Sequence, residues 1–187
     1  MHLVQFELGN GQRRVGLVDG ALVREIQGAT STRDLALAAI DKKISLAEQV
    51  DSLGLGDNHD YSQLRADLQI LPPLDHPDPA HVLVSGTGLT HLGSASARDK
   101  MHQHGNDESA MTDTMRIFKW GLEGGKPAAG QAGVQPEWFY KGDGSIVIRP
   151  GQSFPQPPFS EDAGEEPELS GLYVIGHDGK PYRLGFA

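Results

Sequence analysis

Cysteine is absent from the 187 residues. That excludes a disulfide framework, an iron–sulfur cluster and a thiolate zinc site. Positive charge is in short supply. Lys and Arg number 16 against 25 Asp and Glu, a net charge of −9. This balance argues against a dedicated nucleic-acid surface or an anionic-membrane surface. No run of about 18 apolar residues exists, so no membrane-spanning helix is expected. Residues 1–8 carry charge with no long apolar stretch behind them, so they read as structure rather than a secretory signal. A soluble cytoplasmic protein is the expectation. What is present is a hydrophobic share of 37%, too high for a disordered chain. Gly (24) and Pro (12) are abundant, well above their average usage of about 12%. Turns and strands should therefore be frequent. The length allows one domain or two small ones with a real core.

Short apolar runs at 3–8, 15–18 and 21–26 are separated by Asn10-Gly11 and Asp19-Gly20. Asx-Gly turns between such runs predict a small antiparallel meander. Thr30 or Ser31 offers an N-cap. From Arg33 to about Leu53, apolar residues such as Leu35, Ile40, Leu46 and Val50 keep helical spacing, and Gly54 and Gly56 follow. One helix is predicted there. Residues 1–70 thus read as an N-terminal β-meander and helix domain. Four prolines between Leu71 and Pro79 predict an extended connector over 71–80. Residues 81–84 read as a short buried strand. It runs into a small-residue loop, 86–93, where backbone can approach a ligand closely. Residues 94–122 are polar and read as helical in parts, and 123–135 as irregular. Residues 138–140, 146–148, 166–176 and 181–187 read as strands, the last two flanking a hairpin turn at 177–180. The chain stops in an apolar strand, which calls for a neighbour. Residues 81–187 are therefore expected to be the first part of a larger domain. The expected fold class is mixed, β-rich α+β.

Several motifs fail on inspection. Gly86-Thr87-Gly88 begins a dinucleotide-like pattern, but His91 stands where its last glycine belongs. The stretch from Gly121 to Lys126 is one residue short of a phosphate loop, and Pro127 replaces the needed Ser or Thr. His102 and His104 stand at i and i+2 with His91 nearest to them, but spacing fixes none as a third ligand, so they read as solvated histidines rather than a zinc site.

Glu166-Pro167-Glu168 is more informative. On a strand both carboxylates share one face, with Cα atoms about 6.5–7 Å apart. They repel unless a cation lies between them, and oxygen donors suit Mg²⁺, Mn²⁺ or Ca²⁺. On spacing alone the commoner origin is a solvated acidic strand edge, and Glu161, Asp162 and Glu165 lie near by. His91 is a candidate acid or base, and equally an ordinary loop histidine. Lys141 suits a substrate carboxylate as a point charge. It is equally a surface lysine ahead of Gly142-Asp143-Gly144.

Five segments, in order, resemble the fumarylacetoacetate hydrolase family. They are the opening stretch from Val4 to Gly20, Leu71-Pro72-Pro73-Leu74, the run Val82-Leu83-Val84 leading to His91, Pro136-Glu137-Trp138-Phe139-Tyr140-Lys141-Gly142, and Glu166-Pro167-Glu168-Leu169 with Ile175-Gly176. The resemblance implies a small N-terminal β domain, then part of a mixed β-roll catalytic domain, in a homodimer. It implies a divalent cation, Mg²⁺ or else Mn²⁺ or Ca²⁺, held by Glu166, Glu168 and an aspartate expected beyond Ala187. It implies His91 as the catalytic acid or base and Lys141 as a substrate-binding residue. Family hydrolases often pair that histidine with a glutamate three residues on. Here Ser94 stands there, which favours a dehydratase or lyase. Residues 102–135 resemble an insertion of the 2-keto-3-deoxy acid dehydratase branch. The implied activity is on a 2-keto acid through a metal-stabilised enolate. It is either dehydration of a 2-keto-3-deoxy sugar acid or hydrolytic C–C cleavage of a diketo acid. The alternative is a non-catalytic small-acid-binding or dimerisation domain that keeps the fold.

Overall fold

A computed structural model of the chain describes residues 1–88, 112–134, 137–161 and 167–187. Among them the architecture is α+β, with small antiparallel sheets and four α-helices. Two compact units form, Met1–Val82 with Gly144–Ala187, and Leu83–Asp143. No helix of the described residues is long and apolar enough to cross a membrane.

In the first unit the predicted meander is present. β1 (Leu3–Glu7) pairs with β2 (Arg13–Asp19), and β2 with β3 (Leu22–Ile26), all antiparallel. Asp19 lies opposite Leu22, so Gly20 and Ala21 form a two-residue loop. Gly20 holds φ at 59°, the left-handed conformation that such hairpins need. A further strand, β4 (Leu55–Asp60), pairs with β3 and completes the order β1-β2-β3-β4. Its sequence has no apolar alternation, and the hydrophobic pattern did not reveal it.

Residues of the sheet point alternately to two faces, and both are covered. Val15 and Ile26 pack with Ala29, Leu35 and Val50 on one face. Phe6 and Val23 pack with Leu64 and Ile70 on the other. The first cover comes from α1 (Thr32–Lys42) and α2 (Leu46–Leu53), the second from α3 (Tyr61–Ala66). Phe6, Val15, Val23 and Ile26 have no exposed surface. Full burial of such a side chain is worth about 1.5–3 kcal/mol.

The single helix predicted over 33–53 is two. Lys43 takes a left-handed φ of 57° and ends α1. Ser45 then opens α2 with a capping box: its side chain accepts from the Glu48 N–H, and the Glu48 carboxylate accepts from the Ser45 N–H. Two end signals outweigh continuous apolar spacing.

The proline-rich stretch is pinned to the sheet. The buried Gln5 side chain donates to the Pro72 carbonyl at 2.6 Å and to Asp75 at 3.2 Å. Arg13 Nη2 donates to both Asp75 oxygens, at 2.8 and 2.9 Å. Thr32 Oγ1 donates to the Pro73 carbonyl at 2.7 Å.

β7 (Gly171–Ile175) and β8 (Pro181–Phe186) form the predicted last hairpin. The strand expected over 166–176 begins only at Gly171. Ser170 and Ala187 exchange backbone hydrogen bonds at the end of the ladder, and residues 167–169, with Pro167 lacking a donor, lie outside the strand. Residues 146–148 are not a strand either. Gly144–Ile146 makes a 3₁₀ turn and 147–148 have no regular structure.

The second unit holds β5 (Leu83–Thr87), antiparallel to β6 (Trp138–Asp143), and α4 (Asp113–Gly124), which Thr112 caps. The strand expected over 81–84 is shifted, because Pro79–His81 is a 3₁₀ turn. Nor is it buried: Leu83 is 66% exposed. Gly86 and Thr87, expected in a loop, belong to β5.

Candidate functional site

The β5–β6 ribbon brings together the most chemically capable group of side chains in the second unit. Its register shifts once. Val84 faces Gly142 and Ser85 faces Tyr140, so Lys141 is an extra residue with no opposite number. Such a bulge re-aims a side chain and is over-represented beside active sites. The Lys141 ammonium lies 5.6 Å from the centre of the Phe139 ring, within cation–π range.

Both side chains lie across Gly86. A Cβ there would stand 2.6 Å from Lys141 Cε and 2.6 Å from Phe139 Cζ. Gly88 plays the same part for Glu137. Its N–H donates to the Glu137 carbonyl at 3.1 Å. A Cβ on Gly88 would stand 2.9 Å from Glu137 Cβ and collide with the Glu137 carboxylate. Thr114 Oγ1, in the first turn of α4, donates to Glu137 Oε1 at 3.2 Å. A carboxylate just ahead of β6 and an aromatic ring and an ammonium on it thus follow one another, opposite Gly86 of β5 and Gly88 just past its end. The arrangement offers a positive charge for an anion, a flat apolar surface and a held hydrogen-bond acceptor.

Of the sequence-derived site residues, Lys141 belongs to this group. His91 and Glu166 lie outside the described residues, as do His102 and His104. Glu168 is exposed in the irregular stretch ahead of β7. Strand alternation therefore does not set its direction, contrary to expectation. Carboxylate oxygens are the right donor chemistry for a hard cation. Among the described residues no three His, Asp or Glu side chains gather as a metal-binding group.

Sequence reasoning missed Glu137. The signal was its position two before Phe139 and four before Lys141, the same-face spacing of a strand. It missed a second polar cluster too, in the first unit. There Glu25 accepts from Arg14 Nε at 3.2 Å and meets His59 Nε2 at 2.8 Å. The His59 ring packs edge-on to Phe6, with centres 5.0 Å apart. These residues come from β2, β3 and β4, and only the sheet register joins them. The first unit also has a cleft of about 530 Å³ lined largely by apolar residues, among them Leu3, Val4, Leu46, Ile70 and Leu184.

No family model matches the chain, and no curated protein or solved structure matches it.

Proposed function

We propose that the chain serves a divalent-cation-dependent enzyme of the fumarylacetoacetate hydrolase type, acting on a 2-keto acid. The reaction is dehydration of a 2-keto-3-deoxy sugar acid or hydrolytic C–C cleavage of a diketo acid. The observation that carries this reading is Lys141, set on a strand bulge and laid over Phe139 across Gly86. The order of the five family-like segments supports it. Lys141 holds the substrate carboxylate as a point charge. The Phe139 ring keeps water from one side of that ion pair, which strengthens it. His91 moves the proton as acid or base. Glu166 and Glu168 would hold the cation, which when bound supplies positive charge for an enolate.

The second reading is a non-catalytic small-acid-binding or dimerisation domain. It is favoured by the apolar side chains that the second unit leaves exposed, Trp120, Leu122, Trp138 and Tyr140.

Turnover of 2-keto-3-deoxy sugar acids and diketo acids, with and without Mg²⁺, tests the proposal. Mg²⁺-dependent turnover is expected. Lys141→Ala and Glu168→Gln should each lower it by about 100-fold, the usual loss for a group that stabilises developing charge, with unfolding midpoints unchanged. Wild-type turnover in either variant overturns the site. Binding of the acids with no turnover leaves the second reading in its place.

A further inference from the structure

We infer that the cleft of the first unit is a slot for an extended, uncharged apolar peptide, which adds as a strand between β1 and β8. The site belongs to a different part of the chain from the β5–β6 ribbon, and it does not rest on the 2-keto acid reading.

Two strand edges meet there. β1 is an outer strand of the four-stranded sheet, and β8 belongs to a two-stranded hairpin. Residues 1–5 and 184–187 line the cleft without a gap. A strand that presents a face lines a cavity with every second residue. An unbroken run means that the edge, with its backbone groups, faces the cleft.

The hydrogen bonds show which of those groups are open. The Val18 N–H donates to the His2 carbonyl at 2.9 Å. In this register Val4 and Phe6 also turn their backbone groups to β2, and Leu3 and Gln5 turn theirs outward. Further along, the outer side of β1 is taken up: the Leu71 N–H donates to the Gln5 carbonyl, and the Glu7 N–H to the Gln69 carbonyl, both at 2.9 Å. That pairing stops at Pro72 and Pro73, which have no N–H to give. Among the described residues the Leu3 N–H and C=O have no hydrogen-bond partner. On β8, Ala187 exchanges both bonds with Ser170. Phe186, the next residue along, therefore turns its N–H and C=O away from β7. These too have no partner among the described residues.

These open groups decide the class of ligand. An alkyl chain in the cleft strips water from them and returns no hydrogen bond, which costs free energy. A peptide backbone returns both kinds of bond, and an open edge takes up a strand in this way. Successive residues of a strand direct their backbone groups to opposite sides. One residue of the inserted peptide therefore bonds Leu3, and its neighbour bonds Phe186. The size agrees. Strand rise, strand spacing and layer spacing give about 160 Å³ per residue, so the cleft of about 530 Å³ holds about three. The walls select the side chains. Leu46 of α2 and Tyr61 of α3 cover opposite faces of the sheet, and both line the cleft. The peptide thus meets apolar surface on each of its two faces. Among the described residues no Asp, Glu, Lys or Arg lines the cleft. A charged side chain seated there loses water and gains no counter-charge.

Calorimetric titration with acetyl-Thr-Val-Ile-Val-Thr-amide tests this, beside the same peptide N-methylated at its three central residues and beside 1-hexanol. The unmodified peptide should bind, and the N-methylated one at least about tenfold more weakly, since it keeps the side chains and loses the donors. Leu3→Pro and Phe186→Pro each remove one N–H that faces the cleft and no bond of a ladder, which is where an edge strand tolerates proline. Each should weaken the peptide by about tenfold, with thermal unfolding as the folding control. In amide exchange the bound peptide should slow the Leu3 and Phe186 N–H groups. Absence of peptide binding overturns the inference. So does equal affinity of the N-methylated peptide, or of both folded proline variants. Tighter binding of hexanol than of the peptide gives the cleft to a small apolar ligand. A dimer that Leu3→Pro dissolves, with no peptide bound, gives it to a second copy. Either result also overturns the inference, and none of these outcomes bears on Lys141.

Discussion

Gly86 and Gln5 show how single residues divide the work between binding and stability. A methyl group on Gly86 would meet Lys141 Cε and Phe139 Cζ, both at 2.6 Å. Both atoms are outer parts of side chains, able to move aside. Gly86→Ala should therefore cost little stability, less than about 1 kcal/mol by comparison with overpacked cores. It should displace the ammonium and lower 2-keto acid affinity by about tenfold. Urea unfolding and calorimetry read the two effects separately. Gln5 is the opposite case. Its buried side chain accepts from the Thr32 N–H at 2.8 Å and from Arg13 Nη2 at 3.4 Å, besides its two donations. Gln5→Ala strands these groups, and should lower the unfolding free energy by about 2–3 kcal/mol. Because Gln5 belongs to the other unit, acid affinity of the folded variant should hold. In the sequence Gln5 reads as a polar residue in a strand of loose alternation. Its burial was not legible, because its partners lie 27 to 70 positions away, apart from Arg13. Lys141 was legible by its aromatic neighbours. Glu137 was not, because its meaning depends on which β5 residues stand opposite.

At the scale of elements, hairpins were the most legible feature. Asn10-Gly11, Asp19-Gly20 and Asp178-Gly179 each mark a turn, since few residues tolerate the backbone that a tight loop needs. The break between α1 and α2 was written in Ser45 and Glu48, but apolar spacing across it masked the signal. β4 was illegible, since Leu55-Gly56-Asp57-Asn58-His59-Asp60 lacks both alternation and strand formers. Pairing with β3 makes it a strand. The capping box gives a pH prediction. Hydrogen bonds from the Ser45 backbone, then from its side chain, hold the Glu48 carboxyl below its ordinary pKa. A lowered pKa means that the folded state favours the ionised form. The support it gives α2 is complete above the unfolded-state value, and is lost as pH falls through the lower, folded-state value. Chemical-shift titration of the α2 amides should show the helix start loosening in that acid range. Ser45→Ala should raise the Glu48 midpoint and cost about 1 kcal/mol of stability.

Across the whole molecule, buried apolar residues are unevenly divided. Phe6, Val15, Val23, Ile26, Leu35, Val50, Leu64 and Ile70 all belong to the first unit. Its later segment is tied in by an ion pair, Arg149 to Glu7 at 2.6 Å, and by a hydrogen bond between His177 Nδ1 and Asp41 at 3.0 Å. In the second unit, α4 has no buried residue, and Gly86 is the one buried position of β5 and β6. Local opening costs least where few apolar contacts must break. Amide exchange should therefore be slow in β1, β2 and β3, at rates set by global unfolding. It should be fast in β5, β6 and α4, through opening of that unit alone. A 2-keto acid held at Lys141 binds only the closed ribbon, so it should slow exchange in β5 and β6 by a factor set by its concentration over its Kd. Exchange in the β1–β4 sheet should not change at those concentrations. If ligand slows both units equally, their opening is one cooperative event, and the ribbon derives its stability from the sheet after all.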